Sequence, residues 1–430
     1  MNIELSIIIL AYNEADNLRL LIPKVKANIK AITSKYEILV LDGNSSDETA
    51  EVAKSLGCRV VFQKKPGYGN AFRQAITEVK GEYAINIDAD CSHDPKFIAS
   101  FWPQRKNNQL VIASRYIKGG QANMPFFRKT LSIILNWIYS FILSLPYKDL
   151  SSGFRIYEID SIKNLIKDID AKDFDVLLEV LIKMHCNGYK IIEIPFSYQP
   201  RRHGRSTAKL FKFAVSYLRT LYHSWQLRNS AFSADYDDRA YNSIIPLQRY
   251  WQRRRYRIIM DMVKDNDSCV DLGCGSSKII QNLPHSIGLD VDLKKLRYIK
   301  RTNRLLVKGD ISNLPFKDNA FSVVICSQVI EHIPKDRFNL REFYRVIKDD
   351  GYLILGTPDY ATFWWRFFEW FYIRLLPQAY GEGHIAPYTK KEVEQLLKEH
   401  RFNILDYKYI CKGELIIKSK KISNTKVKQA

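Results

Sequence analysis

Two aspartates one residue apart, Asp88 and Asp90, follow the apolar run YAINI at 83–87. Carboxylates so spaced at a strand end suit a shared Mg²⁺ or Mn²⁺, hard cations that take a few carboxylates and complete their shell with substrate phosphates. Such an ion would neutralise a diphosphate as it leaves. Other polar groups follow apolar runs in the same half. Tyr12 and Glu14 come after SIIIL (6–10), and Asp42 ends YEILVL-D on a Gly-Asn-Ser-Ser turn whose amides can face a base or ribose. The second half carries a different set. VDLGCGSS (270–277) is an apolar strand running into a glycine-rich turn, where missing side chains let backbone approach a ligand closely. Asp290 closes the next apolar run, placed to bond a ribose diol, and Asp310 closes a third, suited to an adenine amino group. Two nucleotide-handling sites are expected, one in each half.

The elements that must position these residues can be read from periodicity. SIIIL, YEILVL, CRVVF (58–62) and YAINI are separated by amphipathic segments such as EADNLRLLIPKVKANI. The pattern repeats after residue 265 with CVDL, SIGLDV, RLLVKGD, SVVICS and YLILGT. Short buried strands alternating with helices predict a parallel sheet covered on both faces, with ligands at the carboxyl ends of the strands. The expected architecture is therefore α/β, two doubly wound domains in series. The boundaries are placed at 1–230 for the first, 231–256 for a polar, aromatic connector and lead-in helix, and 257–418 for the second. A solvated basic tail is expected over 419–430.

Composition narrows the setting. The 430 residues and 46% hydrophobic content support two sizeable cores. Lys and Arg number 66 against 46 Asp and Glu, a formal charge of +20, which favours anionic partners. No RNA-binding motif or single basic domain accompanies that charge, so nucleic acid is not expected as a partner. Seven scattered cysteines without a Cys-x-x-Cys spacing argue against a disulfide framework and against zinc, and fit a reducing, cytoplasmic setting. MNIELSIIIL lacks a basic leader region and runs directly into a strand pattern, so it is not read as a signal peptide.

In order along the first half, SIIILAYNEADNL, ILVLDGNSSDETAEVA, KPGYGNAFRQAI, INIDADCSHDP, ASRYIKGG, LSSGFRIY and FSYQPRRHGRS make residues 1–230 resemble GT-A inverting glycosyltransferases of the dolichyl- and polyprenyl-phosphate sugar transferase branch. The resemblance implies nucleotide-sugar contacts at Tyr12, Glu14, Val40, Asp42, Asp88 and Ala89, and a metal at Asp90 with Ser92. It also implies phosphate contacts at Arg115 and Arg201. The family often closes this region with Arg-x-x-Gly-x-Ser-Lys; here Thr207 replaces the lysine, leaving Arg205 or Lys209 to supply that charge. A phosphate acceptor needs no strong base, so positioning and charge neutralisation would suffice. VDLGCGSS, GLDVD, GDISNLPF, VICSQVIEHI and REFYRVIKDDGYLILGTP make residues 257–418 resemble class I S-adenosylmethionine-dependent methyltransferases. That resemblance implies cofactor contacts at Asp271, Gly273, Gly275, Asp290, Asp310 and Ile311. His332, in VIEHI, lies near the active-site mouth in such proteins, as a structural residue or as a base for a substrate hydroxyl.

The acceptor is bound up with the segment 126–145. Arg128, Ser132, Asn136, Ser140 and Ser144 recur every four residues, a narrow polar stripe on an otherwise apolar helix. LSIILNWIYSFILSL is too short to span a bilayer. One reading is a helix lying on the cytoplasmic face of a membrane with Arg128 meeting a lipid phosphate; the resemblance supports it, and implies catalytic roles for Arg115 and Arg128. A stripe packed inward would instead favour a soluble or protein-bound saccharide acceptor. The aromatic run FWWRFFEWFY (363–372) reads as a headgroup-layer anchor, a substrate lid or a subunit contact. The combined expectation is a bifunctional enzyme, peripheral on the membrane, that transfers a sugar to a polyprenyl-phosphate or glycolipid and a methyl group to a saccharide.

Overall fold

The computed structural model describes residues 3–200, 210–264, 267–283, 285–302, 304–375 and 384–423. The chain divides into two α/β units, Met1–His185 with Tyr189–Trp225 and Cys186–Gly188 with Gln226–Ala430. Every strand-length apolar run picked out above is a strand, because β-branched and leucine side chains over four to seven residues can be buried from both faces at once.

The first unit contains β1 (Leu5–Ala11), β2 (Tyr36–Asp42), β3 (Arg59–Phe62), β4 (Tyr83–Asp88), β5 (Leu110–Ser114), the short β6 (Gln121–Ala122), β7 (Arg155–Glu158), β8 (Ile191–Pro195) and the short β9 (Ser197–Tyr198). Its main sheet runs β3-β2-β1-β4-β7-β5-β8. β1 pairs in parallel with β2 and β4, with Ala11 opposite Asp42 and Leu10 opposite Asp88, so the strand order reverses beside β1. That reversal opens a crevice at the carboxyl edge. β7 runs antiparallel to both β4 and β5, so the sheet is mixed rather than wholly parallel. The helix Ala15–Lys30 closes one face, burying Leu18, Leu21, Ile22, Val25 and Ile29 at helical spacing.

The second unit contains β10 (Cys269–Leu272), β11 (Ser286–Asp290), β12 (Leu305–Lys308), β13 (Phe321–Ser327), β14 (Ile347–Pro358), β15 (Phe402–Ile410) and β16 (Glu414–Lys421). Their order is β12-β11-β10-β13-β14-β16-β15, again reversing beside the first strand of the unit. β15 and β16 form an antiparallel hairpin that sets β16 against β14. Residues 419–421, expected in a solvated tail, belong to β16; the Lys421 ammonium is buried and donates to Asn319 Oδ1 (2.8 Å) and the Ile347 carbonyl (2.7 Å). The stretch 231–256, expected as a connector and lead-in helix, carries the helix Tyr236–Tyr241 and most of the helix Pro246–Met262. No helix among the described residues is long and apolar enough to cross a membrane.

Candidate active sites

In the first unit the loops after β1 and β2 are stitched together by side chains. Asn13 takes a left-handed conformation (φ 53°), its amide donating to Ser45 Oγ (2.9 Å) while its own Oδ1 accepts from the Ser46 amide (2.8 Å). The Glu14 amide donates to Thr49 Oγ1 and the Ala15 amide to Asp47 Oδ2. Asp42, buried at the end of β2, accepts from both the amide and the hydroxyl of Ser45 (2.8 and 2.7 Å). Tyr12 is left 56% exposed, a ring standing at the rim of the crevice. Val40 sits wholly in the core with Ile7 and Ile9, where its side chain supports the strand. Ala89 is likewise packed into the core and serves as the spacer between two carboxylates.

Asp88 and Asp90 are braced differently. His93, buried and stacked on Phe154, accepts the Asp88 amide at Nδ1 (3.1 Å), which sets the tautomer that carries a proton on Nε2, 3.4 Å from Asp88 Oδ2. Gly153 lies against the same carboxylate; a Cβ there would come within 3.3 Å of Asp88 Oδ1. Cys91 turns the chain with positive φ, and Asp90 Oδ1 accepts the Ser92 amide (3.0 Å). The two carboxylates are thus held on one turn at the crevice, an arrangement that fits a cation taking one or two protein carboxylates. Arg115 is engaged from within: Nε and Nη2 grip the fully buried Asp149 (both 2.7 Å), and Nη2 also donates to Ser151. The guanidinium fork therefore spends its two-pronged side on a carboxylate, and a diphosphate could meet Arg115 only beyond that pair. Arg155, buried entirely, donates to the carbonyls of Leu150, Ser152 and Leu177 and fixes the loop that carries Gly153. Arg201, Arg205, Thr207 and Lys209 lie outside the described residues.

The helix Phe126–Ile142 turns the middle of its polar stripe, Ser132, Asn136 and Ser140, inward. Asn136 is buried, its Oδ1 accepting the amides of Leu150 and Ser151 and its Nδ2 donating to Ser151 Oγ and the Ser132 carbonyl. Ser140 donates to the Tyr147 carbonyl, while Ser144 lies beyond the helix end. An inward stripe was the arrangement expected with a soluble acceptor, but it forces the apolar side outward: Phe126 is 83%, Trp137 63% and Phe141 65% exposed, with Leu131, Ile133 and Ile134 between them. Arg128 stands exposed in the first turn of that helix. A second helix, Leu210–Arg228, packs beside it through Tyr139 and Tyr217 and also turns Val215, Leu218 and Tyr222 outward.

In the second unit, β10 runs into Gly273 and Gly275, both with positive φ. A side chain on Gly273 would collide with Val329 at 2.4 Å, and one on Gly275 with Asp237 Oδ2 at 2.5 Å. Asp290, at the end of β11, orients the turn by accepting the Gly275 and Asp292 amides (both 2.8 Å). A cavity of about 1150 Å³ opens here, lined by Gly273, Asp290, Asp310, Ile311 and His332 together with Trp251 and Gln252 of the lead-in helix. Asp271, beneath the turn, has its carboxyl pushed up to about 8 by burial and by the negative charges of Asp290 and Asp237. Asp237 is half-buried, which alone would raise its pKa, but Lys295 and the Ser276 amide hold it below the ordinary aspartate value. Asp310 is exposed and kept low by the amide and hydroxyl of Ser312. The aromatic helix Phe363–Leu375 contributes Trp365, Phe368, Glu369 and Phe371 to the cavity wall, the position of a lid.

Residues 6–166 match the family model for glycosyl transferase family 2, and residues 270–355 match that for a methyltransferase domain. The chain joins a family 2 glycosyltransferase domain to a methyltransferase domain. The glycosyltransferase part is 32% identical over 230 residues to a dolichol-phosphate mannosyltransferase of Pyrococcus furiosus, a match covering 51% of this chain and 63% of that protein, less than two thirds of its length. It is 28% identical over 200 residues to a dolichyl-phosphate hexose transferase of Haloferax volcanii, covering 46% and 84% of the two chains. A solved S-adenosylmethionine-dependent methyltransferase of Thermotoga maritima shares 19% identity, with a TM-score of 0.35 and coverage of 41% and 91%.

Sequence reasoning passed over several residues that build these sites. In the glycosyltransferase domain these are His93, Asp149 and Arg155; in the methyltransferase unit, Asp237, Trp251, Glu331 and His384. His93 had a signal, since it follows Asp-Ala-Asp at a turn's distance. Asp237 comes from the polar stretch before the domain, and nothing in its local spacing points to the glycine turn at whose end Ser276, 39 residues on, donates to it.

Proposed function

We propose that the glycosyltransferase domain transfers a sugar from a nucleoside-diphosphate donor to a polyprenyl-phosphate or related lipid acceptor, and that the second domain methylates a saccharide from S-adenosylmethionine. The observation that carries the first half is the outward apolar face of the helix Phe126–Ile142, on the same unit as the carboxylate-lined crevice. Apolar area of that size on a soluble protein calls for a covering surface, and a membrane is the one at which a lipid phosphate would be met. The archaeal relatives, named for dolichol-phosphate transfer, support the same acceptor class.

In this reading Tyr12, Glu14 and Asp42 receive the nucleoside, while Asp88 and Asp90, with Ser92 beside them, hold a divalent cation. When bound, that ion neutralises charge on the departing diphosphate. His93 holds Asp88 in place and the Arg115–Asp149 pair fixes the strand end behind it. Arg128 is assigned to the acceptor phosphate. The acceptor is ionised near neutral pH, so the chain's task is to align it with the sugar carbon and exclude water. In the methyltransferase domain Gly273 and Gly275 admit the cofactor's methionine part, Asp290 its ribose and Asp310 with Ile311 its adenine. The cavity, the Cβ-excluding turn and the strand-end carboxylate fit that group. When bound, it supplies an electrophilic methyl on sulfonium sulfur.

The test is sugar transfer by membrane fractions from labelled UDP- and GDP-sugars into organic-extractable lipid. Metal-dependent label in polyprenyl phosphate, reduced at least 100-fold by Asp90→Ala, is the expected result. Turnover that leaves all label in the aqueous phase would refute the lipid acceptor.

A further inference from the structure

The methyltransferase cavity holds a cluster that the cofactor assignment does not use. Glu331 and His332 stand at the 3-10 turn after β13, and His384 enters from the segment following the aromatic helix; one ligand atom from each lies within 4.8 Å of the other two. The imidazoles of His332 and His384 are 5.0 Å apart, and both histidines line the cavity. Glu331 is fully buried. Its Oε2 accepts from Thr357 (3.3 Å), while Oε1 has no hydrogen-bond partner among the described residues, an arrangement that costs free energy unless something else meets that oxygen. Behind His384, Nδ1 lies 2.5 Å from the Tyr360 hydroxyl and 3.2 Å from Glu369 Oε1; the hydroxyl donates to that carboxylate (2.7 Å), which leaves its oxygen to accept from Nδ1. A carboxylate at Nδ1 favours the tautomer with its lone pair on Nε2, as in metal-binding histidines backed by an acidic residue.

We infer that Glu331, His332 and His384 form a divalent transition-metal site in the methyltransferase cavity, facing the methyl acceptor. Two imidazoles and one carboxylate suit Mn²⁺, Fe²⁺ or Zn²⁺, and three protein donors leave coordination positions for substrate oxygens. The inference rests on the methyltransferase reading and sharpens it: the acceptor is a hydroxylated molecule, presenting one or two neighbouring hydroxyls to the ion. The ion would lower the pKa of the hydroxyl to be methylated. That hydroxyl releases its proton to water; its oxygen then bonds to the methyl carbon as the carbon–sulfur bond breaks, the electron pair remaining on sulfur as a neutral thioether.

The experiment is a Mn²⁺ titration of the full chain followed by the free-ion electron paramagnetic resonance signal, in an Asp90→Ala background that silences the sugar-transfer site. One equivalent should bind, falling at least tenfold in affinity in His332→Ala and Glu331→Gln. His332 is exposed, so its replacement tests the site even where loss of a buried ligand disturbs folding. S-adenosylmethionine binding, measured on the same samples, should be unchanged within about threefold. Absence of bound Mn²⁺ in the Asp90→Ala chain, or retention of full affinity in His332→Ala, would overturn the metal site. Loss of cofactor binding already in the unsubstituted chain would instead overturn the methyltransferase reading beneath it.

Discussion

At the scale of single residues, the burial of a carboxyl decides more than its identity. Asp271 sits under a glycine turn with two other aspartates nearby, and its pKa is raised from 3.8 to about 8. Below pH 4 the group is protonated in both folded and unfolded chains. Between about 4 and 8 the unfolded chain releases this proton and the folded one keeps it, so stability falls as pH rises, by at most about 1.4 kcal/mol per unit of displacement. Thermal unfolding of the cofactor-free protein should therefore show a melting temperature that declines from pH 5 to pH 8. Asp271→Asn should flatten that decline, and an unchanged slope would show that the charge is relieved elsewhere. Asp42 and Asp88 illustrate the converse. Their place at strand ends was plain in the sequence, but that Ser45 orients one and His93 the other follows only from how the loops fold back.

At the scale of elements, the helix Phe126–Ile142 has its polar side in and its apolar side out. The stripe was visible as a four-residue recurrence, yet periodicity does not say which face meets the protein. Asn136 settles it, because the turn at Leu150 and Ser151 has two amides to satisfy and only a buried amide oxygen to do so. Trp137 and Phe141, stacked at 5.5 Å on the outer face, then become the residues that a membrane would cover. Trp137→Glu with Phe141→Glu should lower binding to anionic vesicles by at least tenfold in a flotation assay, while leaving the melting temperature within about 2 °C, since exposed substitutions cost little stability. Undiminished binding would remove this helix from the membrane contact. The aromatic helix Phe363–Leu375 had three readings in the sequence, and its place in the cavity wall favours the lid.

At the scale of the whole molecule, each site is built at the carboxyl edge of its own sheet, from residues of its own unit. Losses should therefore separate. Asp90→Ala should abolish sugar transfer and leave S-adenosylmethionine affinity within twofold by calorimetry. Gly273→Val, whose side chain would collide with Val329 on a positive-φ residue, should weaken cofactor binding at least 100-fold and spare sugar transfer. Joint loss in either variant would show that the two chemistries are coupled. The formal charge of +20 belongs to this scale as well. Attraction to an anionic surface is screened beyond a Debye length of about 8 Å at physiological salt, so vesicle binding should weaken with added salt but survive in part through the apolar helix.

The sequence by itself determined the two α/β units, the strands that end at the sites, and the carboxylates and glycines on those ends. Those features are local: strand length, alternation and turn chemistry act over a few neighbouring residues, and ligands in such sheets collect at the edge where the strand order reverses. Only the tertiary structure decided that β7 runs backwards between β4 and β5, that Arg115 is held by Asp149, and that Val40 is core. It also decided that Asp237, His332 and His384 come together around one cavity from distant parts of the chain. Each of those outcomes depends on which buried group must satisfy which other, and that pairing is fixed by packing across the fold rather than by spacing along the chain.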